Sequence, residues 1–283
     1  LFLMIATTSA FAEDASKITG PVHDPAKGID LFTVTSPFLK GPNQVDVLLP
    51  DKLEPGRRYR TLYVLPAAGE FHAKPEFGNG LSEMRKLDAQ NRYHLICVMM
   101  SFDGSAPWYG ANATDPCMRH EDYVKQVVVP LIESHYPTTG NPADRLLIGF
   151  SKSGWGAMTL LLRSPDFFGS ACSWDAPLMM TEKNPGWGSK EHFGTPEQMA
   201  KYLPTKLAEE QEARFSHGEP RITILGHDLY ESHTVAYHEL LFKLGIKHNY
   251  DDSLHFKHAW DSGWLPKALE IFLGSPDLNV FPK

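Results

Sequence analysis

The sequence predicts an α/β fold with a mostly parallel central sheet. Three observations point there. Runs of β-branched and other apolar residues recur along the chain and alternate with segments of helical period. The first two runs alternate apolar and polar residues on either side of Gly41-Pro42-Asn43, which marks an antiparallel opening hairpin. No internal repeat or low-complexity linker divides the remainder, so the chain reads as one large domain behind a short leader.

The elements come in a clear order. Residues 30–38 (DLFTVTSPF) and 44–50 (QVDVLLP) form the hairpin. Residues 60–67 (RTLYVLPA) and 94–101 (HLICVMMS) are continuous apolar runs, as expected of strands covered on both faces, with a helix at 80–90 between them. A helix over 120–136 contains Pro130, which lacks an N–H and predicts a kink or break there. Then come a strand at 145–151, a helix at about 153–163 and a strand at 169–176. After a long insertion the chain resumes with a strand at 220–228, a helix at 234–246, a strand at 247–256 and a closing helix at 264–274. Right-handed crossovers make the later strands parallel and put helices on both faces. The insertion, 177–219, falls between the sixth and seventh strands and is rich in Pro, Gly, Trp and charge. A segment that long between core strands is commonly functional. Its part 195–215 reads as helical, and its position suggests a cap over the C-terminal edge of the sheet.

Composition narrows the function. The 283 residues are 42% apolar, enough for a sizeable core. The net charge of -7 and the lack of a basic run argue against nucleic acid or an anionic membrane surface as partner. Residues 1–12, LFLMIATTSAFA, are uncharged, apolar and end in Ala10-Phe11-Ala12. They read as the end of a truncated secretory signal peptide, too short to span a bilayer. The expectation is a secreted or periplasmic protein with its mature part at 13–283. Three cysteines leave at least one unpaired; Cys97 and Cys172 lie in apolar runs and read as structural thiols, and Cys117 lies in a loop. No zinc spacing occurs, and no metal or cofactor is expected.

The chemistry centres on Gly149-Phe150-Ser151-Lys152-Ser153-Gly154-Trp155-Gly156, between a strand and a helix. A nucleophile held at such a tight corner needs tiny residues two before and two after it. For Ser151 these are Gly149 and Ser153; for Ser153 they would be Ser151 and Trp155, and Trp cannot fit the crossing. Sterics therefore select Ser151. The Lys152 N–H at the helix start is suited to an oxyanion. A second donor is expected after the strand 60–67, at Ala68 with Ala67 beside it.

A serine hydroxyl needs a base. Of thirteen histidines, His255 and His258 in LHFKHAWDSGW occupy the last strand-to-helix connection, and His258, beyond the strand, is preferred. His120, His135 and His233 lie near helix ends or surfaces and read as solvated. The orienting carboxylate belongs at a strand's C-terminal end. Asp228 after ITILGH comes first, Asp175 after SACSW is the alternative, and Glu231 and Asp252 rank behind them. Trp108, Tyr109, Trp155, Trp187 and Trp260 are the aromatics expected to form a binding rim for a flat acid or a sugar.

With these residues the chain resembles the α/β-hydrolase-fold esterases of the esterase D type, a group that includes S-formylglutathione hydrolases, feruloyl esterases and mycolyltransferases. The resemblance runs over most of the chain: RYRTLYVLPAAG, HEDYVKQVVVPLIESHYP, LLIGFSKSGWGAMTLLLRSPDFFGSACSWDAP, HFGTPEQMAKYLP and KHAWDSGWLPKALEIF. It implies the α/β-hydrolase fold, His258 as the catalytic histidine and an acid after the strand matching 220–226, which favours Asp228. Two departures stand out: Ser153 where the group has glycine, and Pro66-Ala67 at the oxyanion loop where it has His-Gly or Asp-Gly. The function implied is a serine carboxylesterase acting through an acyl-enzyme, on a small-molecule or polysaccharide-linked ester such as an acetyl or feruloyl ester. An acyltransferase of the same fold and a non-catalytic carbohydrate-binding homologue are the alternatives.

Overall fold

The structure, a computed structural model, describes residues 16–67, 77–102, 107–186 and 188–276. The expected leader at 1–12, Ala68 and Trp187 lie outside the described residues. Nine strands form one sheet: β1 Lys17–Asp24, β2 Ile29–Thr35, β3 Pro42–Leu48, β4 Arg60–Leu65, β5 Leu95–Met100, β6 Arg145–Phe150, β7 Ser170–Trp174, β8 Ile222–Leu225 and β9 His248–Asp251. Their spatial order is β1-β2-β3-β5-β4-β6-β7-β8-β9. The strands from β1 through β3 to β5 pair antiparallel, and those from β5 across to β9 pair parallel.

Both faces of the parallel part are covered, which is why its strands are apolar at successive positions. Along β4, Leu62 and Val64 join one core layer while Tyr63 and Leu65 join the other. The same division separates Ile148 from Leu147 in β6. β1 is an addition to the sequence expectation. It is exposed along nearly its whole length and carries Gly20-Pro21, so it has no apolar face to betray it. It moves the insertion to between the seventh and eighth strands.

The expected helix at 80–90 is two short helices, α1 Gly80–Lys86 and α2 Ala89–Arg92, separated at Asp88, whose φ is 54°. The helix through 120–135 does not break at Pro130. It runs as α3 His120–Tyr123, a π turn Val124–Val128, and α4 Val129–His135 with Pro130 in its first turn. Widening the preceding turn clears the proline ring from the backbone behind it. Then α5 Lys152–Arg163 follows β6 directly.

The insertion folds as α6 Ser189–Phe193, α7 Pro196–Ala200 and α8 Pro204–Phe215. Its later half is fastened to the body. Phe193, Met199, Tyr202, Leu203, Leu207, Ala208 and Phe215 are buried in the main core. Thr159 Oγ1 donates to the Tyr202 carbonyl at 2.9 Å, and the Arg163 guanidinium donates to the Lys201 carbonyl at 2.8 Å. The expected cap is thus a continuation of the helical layer over α5, and only its first part reaches the edge where the strands end. Finally α9 Glu231–Lys243 and α10 Leu265–Leu273 complete the layers, with Trp264 stacked on Trp174 at 4.5 Å. All three cysteines are free thiols, Cys97 and Cys172 buried and Cys117 exposed. Among the described residues no helix is long and apolar enough to cross a membrane.

Candidate active site

At the C-terminal end of β6 the chain turns directly into α5, and Ser151 stands at the corner with φ 57° and ψ −128°. A non-glycine residue in that region is strained, and the strain aims its side chain out of the turn. The surroundings enforce it. The Ser151 N–H donates to the Trp174 carbonyl at 2.9 Å, and its own carbonyl accepts from Gly154 and Trp155 as the first turn of α5 begins. A Cβ on Gly149 would lie 2.1 Å from the Ser153 carbonyl oxygen, so strand and helix meet there with room only for glycine.

Ser153 shows how that crossing accepts a serine. It is fully buried. Its hydroxyl donates to the Phe150 carbonyl at 2.8 Å and accepts the Phe150 N–H at 3.0 Å. Both hydrogen-bonding capacities are spent on stapling the elbow, which leaves Ser151 as the presented hydroxyl.

His258 arrives on the loop after β9. Its Nε2 lies 2.9 Å from Ser151 Oγ. The ring is fixed by aromatic neighbours that sequence reading missed: Phe150 at 4.4 Å, Tyr230 at 5.5 Å and Phe77 at 6.1 Å between centroids. His255, the other candidate, is exposed and faces His227 at 5.4 Å instead.

The carboxylate on the imidazole is Asp175, the alternative, and Asp228 is displaced from that role. Asp175 Oδ2 is 2.5 Å from His258 Nδ1, and the residue is fully buried. It follows β7 with φ 40°. Gly226 admits it: a Cβ there would come within 2.6 Å of the Asp175 nitrogen. The backbone N–H groups of Asp228, Leu229 and Tyr230 all donate to its two oxygens, at 3.3, 3.1 and 2.8 Å. These are the N–H groups entering α9, where a helix presents positive potential. A buried carboxylate with four donors is compensated as a buried charge must be. Asp228 serves the same histidine differently: its Oδ2 accepts the His258 backbone N–H at 2.6 Å. Strand-end position alone did not distinguish the two aspartates.

The expected aromatic rim is also corrected. Trp108, Tyr109, Trp155 and Trp260 are all at most 2% exposed and are core residues. Trp108 packs edge-on against Trp155 at 5.3 Å, and Tyr109 donates its hydroxyl to the Pro66 carbonyl at 2.5 Å. That bond ties down the end of β4 beside the site. Lys152, whose backbone starts α5, lays its ammonium over the Trp108 ring at 3.8 Å. Burial pulls its pKa down to about 7. His120 is not solvated as expected. It is fully buried, stacks on His192 at 5.0 Å and is held well below the usual histidine range, first by burial and then by His192 and Lys152.

A cleft of about 480 Å³ has Tyr230 in its wall, the residue whose ring also flanks the His258 imidazole. The early insertion supplies Pro177, Met180, Lys190 and Glu191, and the entry to α9 supplies Tyr230 and His233. His233, expected to be solvated, is half-buried here.

A hydroxyl, an imidazole and a buried carboxylate in series can generate a nucleophile: Ser151 donates to Nε2 while Nδ1–H donates to Asp175. Comparison with known proteins agrees. Residues 36–227 match the Esterase family, described as "Putative esterase". Among solved structures, a ferulic acid esterase superposes with a TM-score of 0.67 at 15% identity, covering 92% of this chain and 98% of its own. An S-formylglutathione hydrolase from Agrobacterium tumefaciens gives 0.64 at 17% identity, covering 89% and 98%. A fluorophosphonate-binding serine hydrolase from Staphylococcus aureus gives 0.63 at 16% identity, covering 91% and 96%. These likenesses carry the α/β-hydrolase fold. No curated protein sequence matches the chain.

Proposed function

The chain belongs to the esterase family, and from that premise we propose that it is a serine carboxylesterase using Ser151, His258 and Asp175. The observation that carries this reading is the unbroken series of bonds from Ser151 Oγ through His258 to Asp175. Ser151 Oγ attacks the ester carbonyl as its proton passes to His258 Nε2. The Lys152 N–H at the start of α5, with Ala68 as the expected second donor, meets the oxyanion. Collapse expels the alcohol, which takes the proton back from Nε2 and leaves an acyl-serine. Water then repeats the sequence and releases the acid. Asp175 keeps Nδ1 protonated and stabilises the imidazolium without taking the proton itself.

For substrate we propose acetyl or feruloyl esters of polysaccharide, outside the cytoplasm. The ferulic acid esterase among the similar structures and the apolar run at 1–12 support this. The test is labelling with a fluorophosphonate, followed by peptide mass spectrometry. Ser151 is expected to carry the label, and His258→Ala to abolish it. A folded wild-type protein that takes no label overturns the reading, and a label on Ser153 overturns the assignment of the nucleophile.

A further inference from the structure

His233 lines the cleft from the first turn of α9, with its ring 5.4 Å from that of Tyr230, the residue that flanks the His258 imidazole. Its two nitrogens have separate fates. Nδ1 accepts the Met179 backbone N–H at 3.0 Å, which anchors the start of the insertion to α9. An imidazole nitrogen that accepts cannot carry a proton, and burial holds this ring below the usual histidine pKa, against the opposing pull of Asp175. The ring is therefore neutral at pH 7, with its single proton on Nε2. Among the described residues no group bonds Nε2, and it is not one of the sealed polar atoms of the interior. The cleft wall thus presents an N–H donor of fixed tautomer.

The side of the reaction it faces is set by the chemistry. His258 returns its proton to the leaving oxygen, so the departing alcohol lies along that imidazole. Tyr230, which flanks the His258 ring, lines the same cleft as His233. The rest of the wall mixes apolar faces from Pro177 and Met180 with charged Lys190 and Glu191. Such a lining suits a compact alcohol that carries several oxygens. Resting on the esterase reading above, we propose that His233 determines alcohol specificity by donating its Nε2–H to an oxygen of a polyhydroxylated, sugar-like leaving group.

Two variants separate this role from the structural one. His233→Asn places an amide oxygen near Nδ1 and can keep the Met179 bond, but has nothing at Nε2. His233→Gln reaches the Nε2 position with an N–H and gives up the Met179 bond. The readout is kcat/KM for two acetates of similar shape, methyl 6-O-acetyl-glucopyranoside and cyclohexylmethyl acetate. The preference for the sugar ester is expected to fall about tenfold in His233→Asn, the worth of one hydrogen bond, chiefly through KM, and to stay within about threefold in His233→Gln. An unchanged preference in His233→Asn overturns the proposal. So does a preference lost in His233→Gln and kept in His233→Asn, since that pattern belongs to the Met179 anchor. Fluorophosphonate labelling of each protein keeps the two readings distinct. Labelled wild type without sugar preference sinks the His233 role alone; unlabelled wild type sinks the esterase reading and this one with it.

Discussion

Asp175 and Asp228 hold one histidine by two different handles, the ring and the backbone. Asp175→Asn leaves the shape but offers Nδ1 the wrong partner, so kcat/KM is expected to fall by about 10³- to 10⁴-fold. Asp228→Asn keeps an acceptor oxygen for the His258 N–H, and its loss is expected to stay within about tenfold. Steady-state kinetics on an activated ester ranks the two, and the reverse order would restore Asp228 as the acid. Ser153→Ala removes a buried hydroxyl that both donates and accepts, at a cost of about 1–3 kcal/mol measurable by denaturant unfolding. Lys152→Met should act in the opposite sense. It relieves the burial of an ammonium that is pushed down to about 7, and is expected to raise the unfolding midpoint at neutral pH. At this scale the sequence singled out Ser151 from the bulk of Trp155 and His258 from its loop, and the fold brings those two side chains within 2.9 Å. The acid was not legible, because the choice depends on φ at Asp175 and on three N–H groups some fifty residues away.

The strand–helix corner is made by an interaction between elements, and its tolerance is nearly nil. Gly149→Ala would drive a methyl to 2.1 Å from the Ser153 carbonyl oxygen, where backbone cannot yield. The variant is expected to lose more than about 4 kcal/mol or fail to fold, by circular dichroism and thermal melting. Gly156 meets a related limit, since a Cβ there would lie 2.0 Å from the Tyr109 ring. The parallel strands were readable because burial on both faces leaves them continuously apolar. β1 was not, because an exposed edge strand carries no such pattern. The aromatic residues misled for a related reason: composition gives the number of large rings, and packing alone decides that Trp155 and Trp260 fill the core.

For the whole molecule, the titrations set an acid limit. Burial pulls His192 down to about 4 and His120 well below the usual range, so both stay neutral in the fold while the unfolded chain binds protons below about 6.5. His192 then removes about 1.4 kcal/mol per pH unit as the pH falls from 6.5 toward 4, a contribution fully present only above 6.5, and His120 acts in the same direction. Asp46 opposes them, because burial raises it to about 6 and its fold-favoured protonated form gains as the pH falls from 6 toward 3.8. Two histidines against one carboxylate leave a net loss. The urea midpoint is expected to drop between pH 7 and pH 4.5, and His192→Gln to shallow that slope; a slope unchanged in the variant would contradict the assignment. The same sheet that gathers the triad at β6, β7 and the loop after β9 carries its bare edge at the opposite end. β1 lies five strands from β6, a separation of about 24 Å at the usual strand spacing. Immobilisation on a solid support through a cysteine placed at Val22, which is 66% exposed, with the exposed Cys117 replaced by serine, would therefore leave the mouth of the cleft facing solution and turnover intact.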